Sequence, residues 1–229
     1  MYTYKGVRRG SMKELSIFMD ESGGFGEYDK SKREIYATDG EYIIYPIAEE
    51  DREYYVELHK QLNGESTLFF NPICKDMMWE QVLGGKDKVF SIYDKSGEYC
   101  GSVELQHPDS DTPELGIDLM EDKRNKGIAV KAIKLVARQA YEDKKVEYFM
   151  IRISSRNSHS KHVFEKMGVI PLRTTESTFK TFMNDFRDVM KNTEVDDSME
   201  ERLKKIFDNA DELEEEVVYE YKLTSEAFL

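Results

Sequence analysis

From Glu41 onward the chain alternates between two rhythms of apolar and polar positions. Tyr42 to Ile47 is β-branched and aromatic and predicts a strand, while Glu49 to Leu62 sets Tyr55, Leu58 and Leu62 on one face of an acidic-started helix. Lys75 to Leu83 predicts a short second helix carrying Met77, Met78 and Trp79. Val89 to Tyr93 and Tyr99 to Leu105 form a hairpin across Asp94-Lys95-Ser96-Gly97. Pro113 to Met120 is the next strand, and Gly127 to Asp143 is a helix with Ile128, Ala132, Leu135, Val136 and Ala140 as its apolar stripe. Val146 to Ile153 is almost continuously apolar, as expected of a strand covered on both faces. Asn157 to Met167 predicts a helix, Val169 to Arg173 the start of a strand, and Val217 to Leu223 alternates like a half-buried edge strand. Between these last two, Phe179, Phe182, Met183, Phe186 and Met190, then Met199, Leu203, Ile206, Phe207 and Leu213, recur at helical spacing.

A length of 229 residues suits one domain with a sizeable core, with or without extensions. No apolar run approaches the roughly 20 residues that span a bilayer, and the N-terminus lacks the layout of a signal peptide. A cytoplasmic location is the default expectation. Cys74 and Cys100 are too few for a disulfide framework and lie near no plausible set of metal ligands, so both read as small buried hydrophobes. The net charge of −13 argues against a nucleic-acid surface. From Lys191 to Glu220 twelve acidic residues face four basic ones, a net of −8. That run is either a solvated helical face or a field that steers cationic amines.

The chemistry concentrates between Glu114 and Val169. Arg124-Asn125-Lys126-Gly127-Ile128-Ala129 follows a strand and opens a helix. Backbone N–H groups at a helix N-terminus lack internal partners and carry partial positive charge, so an anion there gains hydrogen bonds and a favourable dipole. Gly127 admits a ligand close to the backbone, and Ala129 keeps a neighbouring position small. The pattern R/Q-x-x-G-x-G/A resembles the pyrophosphate loop of the GNAT superfamily of N-acetyltransferases. Downstream, the segment from Asn157 to Val169 resembles that superfamily's N-x-x-S/A-x-x-v-x-E-K-x-G-F motif, with Val169 replacing the usual Phe.

The resemblance implies an α/β (α+β) GNAT fold: a mixed central sheet with a splayed strand pair, here with a helical insertion before the last strand. It assigns residues 41–229 to the acetyltransferase domain, with the insertion at about 175–214, and leaves 1–40 as an N-terminal extension. Glu114 further resembles the Glu that precedes I-G or L-G in ribosomal-protein-type members. Within the extension, Leu15 to Gly26 contains D-E-S-G and resembles the opening strand of an uncharacterised RNase H-like family. Asp20 and Glu21 alone cannot build a two-metal site, so the segment reads as a vestige or an accessory hairpin.

As the resemblance implies it, the co-substrate is acetyl-coenzyme A, with no metal, and a neutral amine attacks the thioester directly. The backbones of Leu119 and Met120 would pair with pantetheine amides as an added strand would. Arg124, Asn125, Lys126, Gly127, Ile128 and Ala129 would hold the pyrophosphate. Asn157 would bond the pantetheine or a phosphate, or simply cap its helix. Glu114 is the first candidate for general base, ahead of Asp118 and His107. The superfamily's usual thiolate proton donor is a Tyr where this chain has Phe164, so Ser160 or a water would serve. A free thiol's pKa of about 8.5 makes that demand modest.

Three functions compete: an N-acetyltransferase acting on a primary amine of a small molecule or protein N-terminus, a coenzyme A-binding module without turnover, and a metal-dependent nuclease at Asp20 and Glu21. The insertion carries too many apolar side chains to stand exposed. It would cover the acceptor end of the cleft, selecting cationic acceptors, or form a homodimer interface. Neither nucleic acid nor membrane is an expected partner.

Overall fold

The computed structural model describes residues 33–63, 72–177, 180–181, 184 and 216–229. The turn at Asp20 and Glu21 and nearly all of the 175–214 insertion lie outside the described residues, as does the side chain of Cys74. The strands are β1 (Ala37–Thr38), β2 (Tyr42–Pro46), β3 (Lys88–Asp94), β4 (Tyr99–Gln106), β5 (Glu114–Leu119), β6 (Tyr148–Ser154), β7 (Ile170–Glu176) and β8 (Val217–Thr224). Among the described residues they form one sheet in the order β1-β2-β3-β4-β5-β6-β8-β7. Neighbours run antiparallel except β5 and β6, which are parallel.

Helix α3 (Ile128–Asp143) covers one face, and its stripe of Ile128, Ala132, Ile133, Val136 and Ala137 packs on Ile44, Ile92, Val103, Leu115 and Ile151 in the main core. Helices α1 (Arg52–Asn63) and α2 (Pro72–Gly84) lie on the other side, where Tyr55, Trp79 and Val89 form a second, smaller core. Pro72 suits the first position of α2, where its missing N–H costs nothing. A short 3-10 turn (Glu49–Asp51) leads into α1. Asp51 in it is fully buried and accepts from the Ala48 N–H at 3.0 Å, the Ser91 hydroxyl at 2.7 Å and the Tyr93 hydroxyl at 2.5 Å. This fixes α1 over β3. Trp79 Nε1 donates to Glu49 at 2.8 Å and fastens α2 to the same turn.

The alternation of the predicted elements survives, but their covering differs. In β6 only Phe149, Ile151 and Ile153 are buried, and Arg152 between them is exposed. One face of this strand therefore carries ion pairs rather than a second apolar layer. Val217 to Leu223 was expected at an edge, yet β8 lies between β6 and β7; the edge is β7, most of whose residues are exposed. The last pair of that hairpin is Glu176 with Val217, so the chain leaves for the insertion and returns at this one point. Two elements lacked any periodic signal because they are too short: β1, and helix α5 (Ser225–Phe228). Phe228 is nevertheless buried, with its ring 5.7 Å from those of Tyr141 and Phe149.

Candidate active site

Strands β5 and β6 share one residue pair, Glu114 with Met150, beside which the Met150 N–H donates to the Pro113 carbonyl at 2.8 Å. Past that point β5 stays with β4 and β6 stays with β8, so the two diverge. The Met120 N–H donates to the Cys100 carbonyl at 3.0 Å. In an antiparallel ladder such bonds alternate along the strand. The even-numbered residues of β5 thus serve β4, and Ile117 and Leu119 turn their N–H and C=O groups to the gap. This corrects the expectation for Met120, whose N–H is already used, and adds Ile117, which strand parity could have revealed once the register was known. Gly101 makes the close pairing with β4 feasible: its φ is +152°, and a Cβ there would come within 2.1 Å of the Asp118 carbonyl.

The gap opens into a cleft of about 570 Å³ between β5, the start of α3 and helix α4 (Ser158–Lys166). Asn125 and Gly127 both adopt positive φ, 61° and 77°, and Gly127 caps α3 with no side-chain bond. The first N–H groups of α3 are therefore open to the cleft, and no acidic residue in the first turn opposes an anion. Arg124, Asn125, Gly127, Ile128 and Ala129 line it, although Ile128 mostly points into the core. Lys126 is exposed and lies outside the lining. Arg124 bends back, donating from Nε to the Leu119 carbonyl at 3.1 Å. Across the cleft Gln61 accepts from the Glu121 N–H at 3.0 Å, tying the end of α1 to the loop.

On α4, Asn157 Oδ1 accepts from the Ser160 N–H at 3.0 Å, so the residue is a true helix cap. Its Nδ2 remains able to donate. Ser160 is half-buried and lines the cleft, and Phe164 is buried against the core at its base. His159, His162 and Lys166 also line it, which sequence reasoning missed because a short helix gives no clue to its rotation about its axis.

Of the carboxylates, Asp118 lines this cleft and Glu114 does not. Burial raises the pKa of Asp118, opposed by the Arg124 charge. Burial likewise raises that of Glu114, opposed first by Arg152 and then by His107. Arg152 lies 3.9 Å from Glu114 and 3.5 Å from Glu220, which also takes Arg173 at 2.5 Å. His107 has a positive φ of 49°, and its N–H donates to Asp87 at 2.8 Å. The Cys100 thiol is pushed up to about 11 by burial, which suits an inert core residue. Among the described residues no group of three His, Cys, Asp or Glu side chains is placed to hold a metal ion, and no helix is long and apolar enough to cross a membrane.

Residues 41–170 match the family model described as the acetyltransferase (GNAT) domain. No curated protein matches the chain in sequence. Among solved structures, a spermidine N-acetyltransferase from Vibrio cholerae in complex with CoA and spermine is 14% identical, with a TM-score of 0.52 over 61% of this chain and 86% of its own. A chimera of the Vibrio cholerae spermidine N-acetyltransferase is 11% identical, with a TM-score of 0.57 over 82% of this chain and 98% of its own. At such identities the likeness is one of fold. The family match spans more than half of the chain and includes the splayed strand, the loop at Gly127 and the capped helix, and the chain belongs to the GNAT acetyltransferase family.

Proposed function

We propose that this N-acetyltransferase moves the acetyl group of acetyl-coenzyme A to a cationic primary amine, of a small molecule or a protein N-terminus. The observation that carries the reading is the junction of three features in one cleft: the diverging β5 and β6, the uncapped N-terminus of α3 at Gly127, and Asn157 with Ser160 on α4. The α3 N-terminus and its loop would hold the pyrophosphate. The backbones of Ile117 and Leu119 would pair with the pantetheine amides, the Leu119 carbonyl exchanging its Arg124 bond for one from the ligand. Asn157 Nδ2 would donate to the same arm.

In the transfer, the neutral amine attacks the thioester carbonyl, the C–N bond forms, and the C–S bond breaks. Glu114 takes the proton that the nitrogen loses, its carboxylate made more basic by burial at the point where the strands part. Ser160 or a water returns a proton to the leaving thiolate. A protein N-terminus stays among the acceptors because Glu114-Leu115-Gly116 resembles the ribosomal-protein-type strand. On this reading the catalytic domain begins near Tyr36, whose N–H donates to the Ile44 carbonyl at 2.9 Å.

A second reading, binding of coenzyme A without turnover, is favoured by Phe164, which has no hydroxyl to give. Free-thiol release from acetyl-coenzyme A with a panel of amines separates the two. Amine-dependent release supports transfer; binding without release supports the module.

A further inference from the structure

The sheet face turned away from α3 carries Ser102, Glu104 and Gln106 on β4, opposite Asp118, Gly116 and Glu114 on β5. Glu104 thus stands across from Gly116, with Glu114 and Asp118 at the two diagonal positions, about 7–8 Å away in such a ladder. A Cβ at Gly116 would meet nothing within 4 Å. The centre of the group is therefore a hollow with a glycine floor and three carboxylate walls.

Helix α1 roofs it. Tyr55 and His59, one turn apart with rings 4.3 Å from each other, both lie within the field of Glu104, and Tyr55 also within that of Asp118. Gln106 donates to Glu104 at 2.9 Å, but among the described residues no lysine or arginine forms a salt bridge with Glu104 or Asp118. Only the more distant Arg124 charge acts on Asp118, and carboxylates beneath a helix with so little counter-charge favour a cation that would fill the space. A second observation points the same way. Tyr99 is 5% exposed, sits under α1 with its ring 5.2 Å from Tyr54, and lies beside Ser102, the cross-strand partner of Asp118. Its enclosed hydroxyl makes no hydrogen bond among the described residues.

We propose that Glu104 is a specificity-determining residue of the acceptor site: with Asp118 it holds a second positive charge of the acceptor over Gly116, while the reacting nitrogen lies beside Glu114. The substrate class is then an aliphatic amine carrying another cationic group, a diamine or longer. This rests on the acetyltransferase reading of the cleft, and it assigns the selection to β4, a strand that contributes nothing to the coenzyme A side.

The test compares diaminobutane with butylamine as acceptors for the full-length protein and for Glu104→Gln. The wild type should favour the diamine in kcat/KM, and Glu104→Gln should collapse that preference by about 10- to 100-fold, mostly through the diamine KM. Glu104→Asp should restore part of it, and coenzyme A affinity by calorimetry should stay unchanged. Gly116→Ala, which fills the hollow without removing a charge, should raise the diamine KM as well. A preference that survives Glu104→Gln overturns the proposal, as does an equal loss for both amines. If the wild type turns over no amine, the transferase reading fails instead. The Glu104 assignment is then decided by calorimetric binding of diaminobutane to the coenzyme A-loaded protein: weaker binding in Glu104→Gln upholds it, and equal binding overturns it.

Discussion

Glu114 and Met150 face each other at the vertex where β5 and β6 part, the one pair that joins these strands among the described residues. A carboxylate at this vertex stands beside the end of the gap that a pantetheine arm would thread. Its burial, only partly offset by Arg152, raises its pKa and makes it a better base near neutrality.

Glu114→Gln should lower kcat by about 10²- to 10⁴-fold, the usual span for a lost acid–base group. The acidic limb of the wild-type kcat/KM profile should lie above the ordinary carboxylate value of about 4.3, and in the variant it should disappear. A variant that keeps both rate and limb would move the role to Asp118.

Gly127→Glu tests the phosphate loop. The left-handed backbone at this position strains any side chain by about 1–2 kcal/mol, yet nothing lies within 4 Å of the new Cβ. The variant should fold, as its circular dichroism melt will report, and should lose measurable coenzyme A binding. Wild-type affinity in a folded variant would remove the loop from the site.

Ser160→Ala should reduce kcat with little change in the KM for acetyl-coenzyme A, because the lost bond forms mainly in the transition state. The helix cap is spared, since Asn157 accepts from the Ser160 backbone and not from its hydroxyl. Asn157→Ala should instead cost about 1 kcal/mol of stability and weaken coenzyme A binding. Steady-state kinetics and thermal melts separate the two.

Asp118 offers a stability test with a definite sign. Its pKa is raised by burial, so the folded state binds the proton more tightly than the unfolded state does. The cost of its charge is absent below the ordinary value of about 3.9 and fully present above the raised one. Asp118→Asn should therefore raise the melting temperature at pH near 7, and the gain should fade as the pH drops through that window. An equal gain at every pH would show that the charge is not its source.

The parts of the site that read from sequence are those made within one short segment. Gly127 and Asn157 announce a loop and a cap because each acts on the next few residues of its own helix. Met120 misled because which backbone groups face the gap depends on pairing with Cys100, a residue twenty positions away and on another strand. Glu104 was invisible for the same reason: its neighbours Gly116, Tyr55 and His59 come from two other elements, β5 and α1, and only the register of β4 with β5 and the seating of α1 by Asp51 bring them together. The strand from Val146 to Ile153 read as covered on both faces because the partner that places Arg152 on a polar face, Glu220, lies on a distant strand across from it.

Amine-dependent release of free coenzyme A thiol, followed at saturating acetyl-coenzyme A, tests the central claim most directly. The account predicts release that requires both substrates, matches the amide formed one for one, and vanishes in Gly127→Glu. Tight coenzyme A binding by the wild type with no release for any mono- or diamine would contradict it.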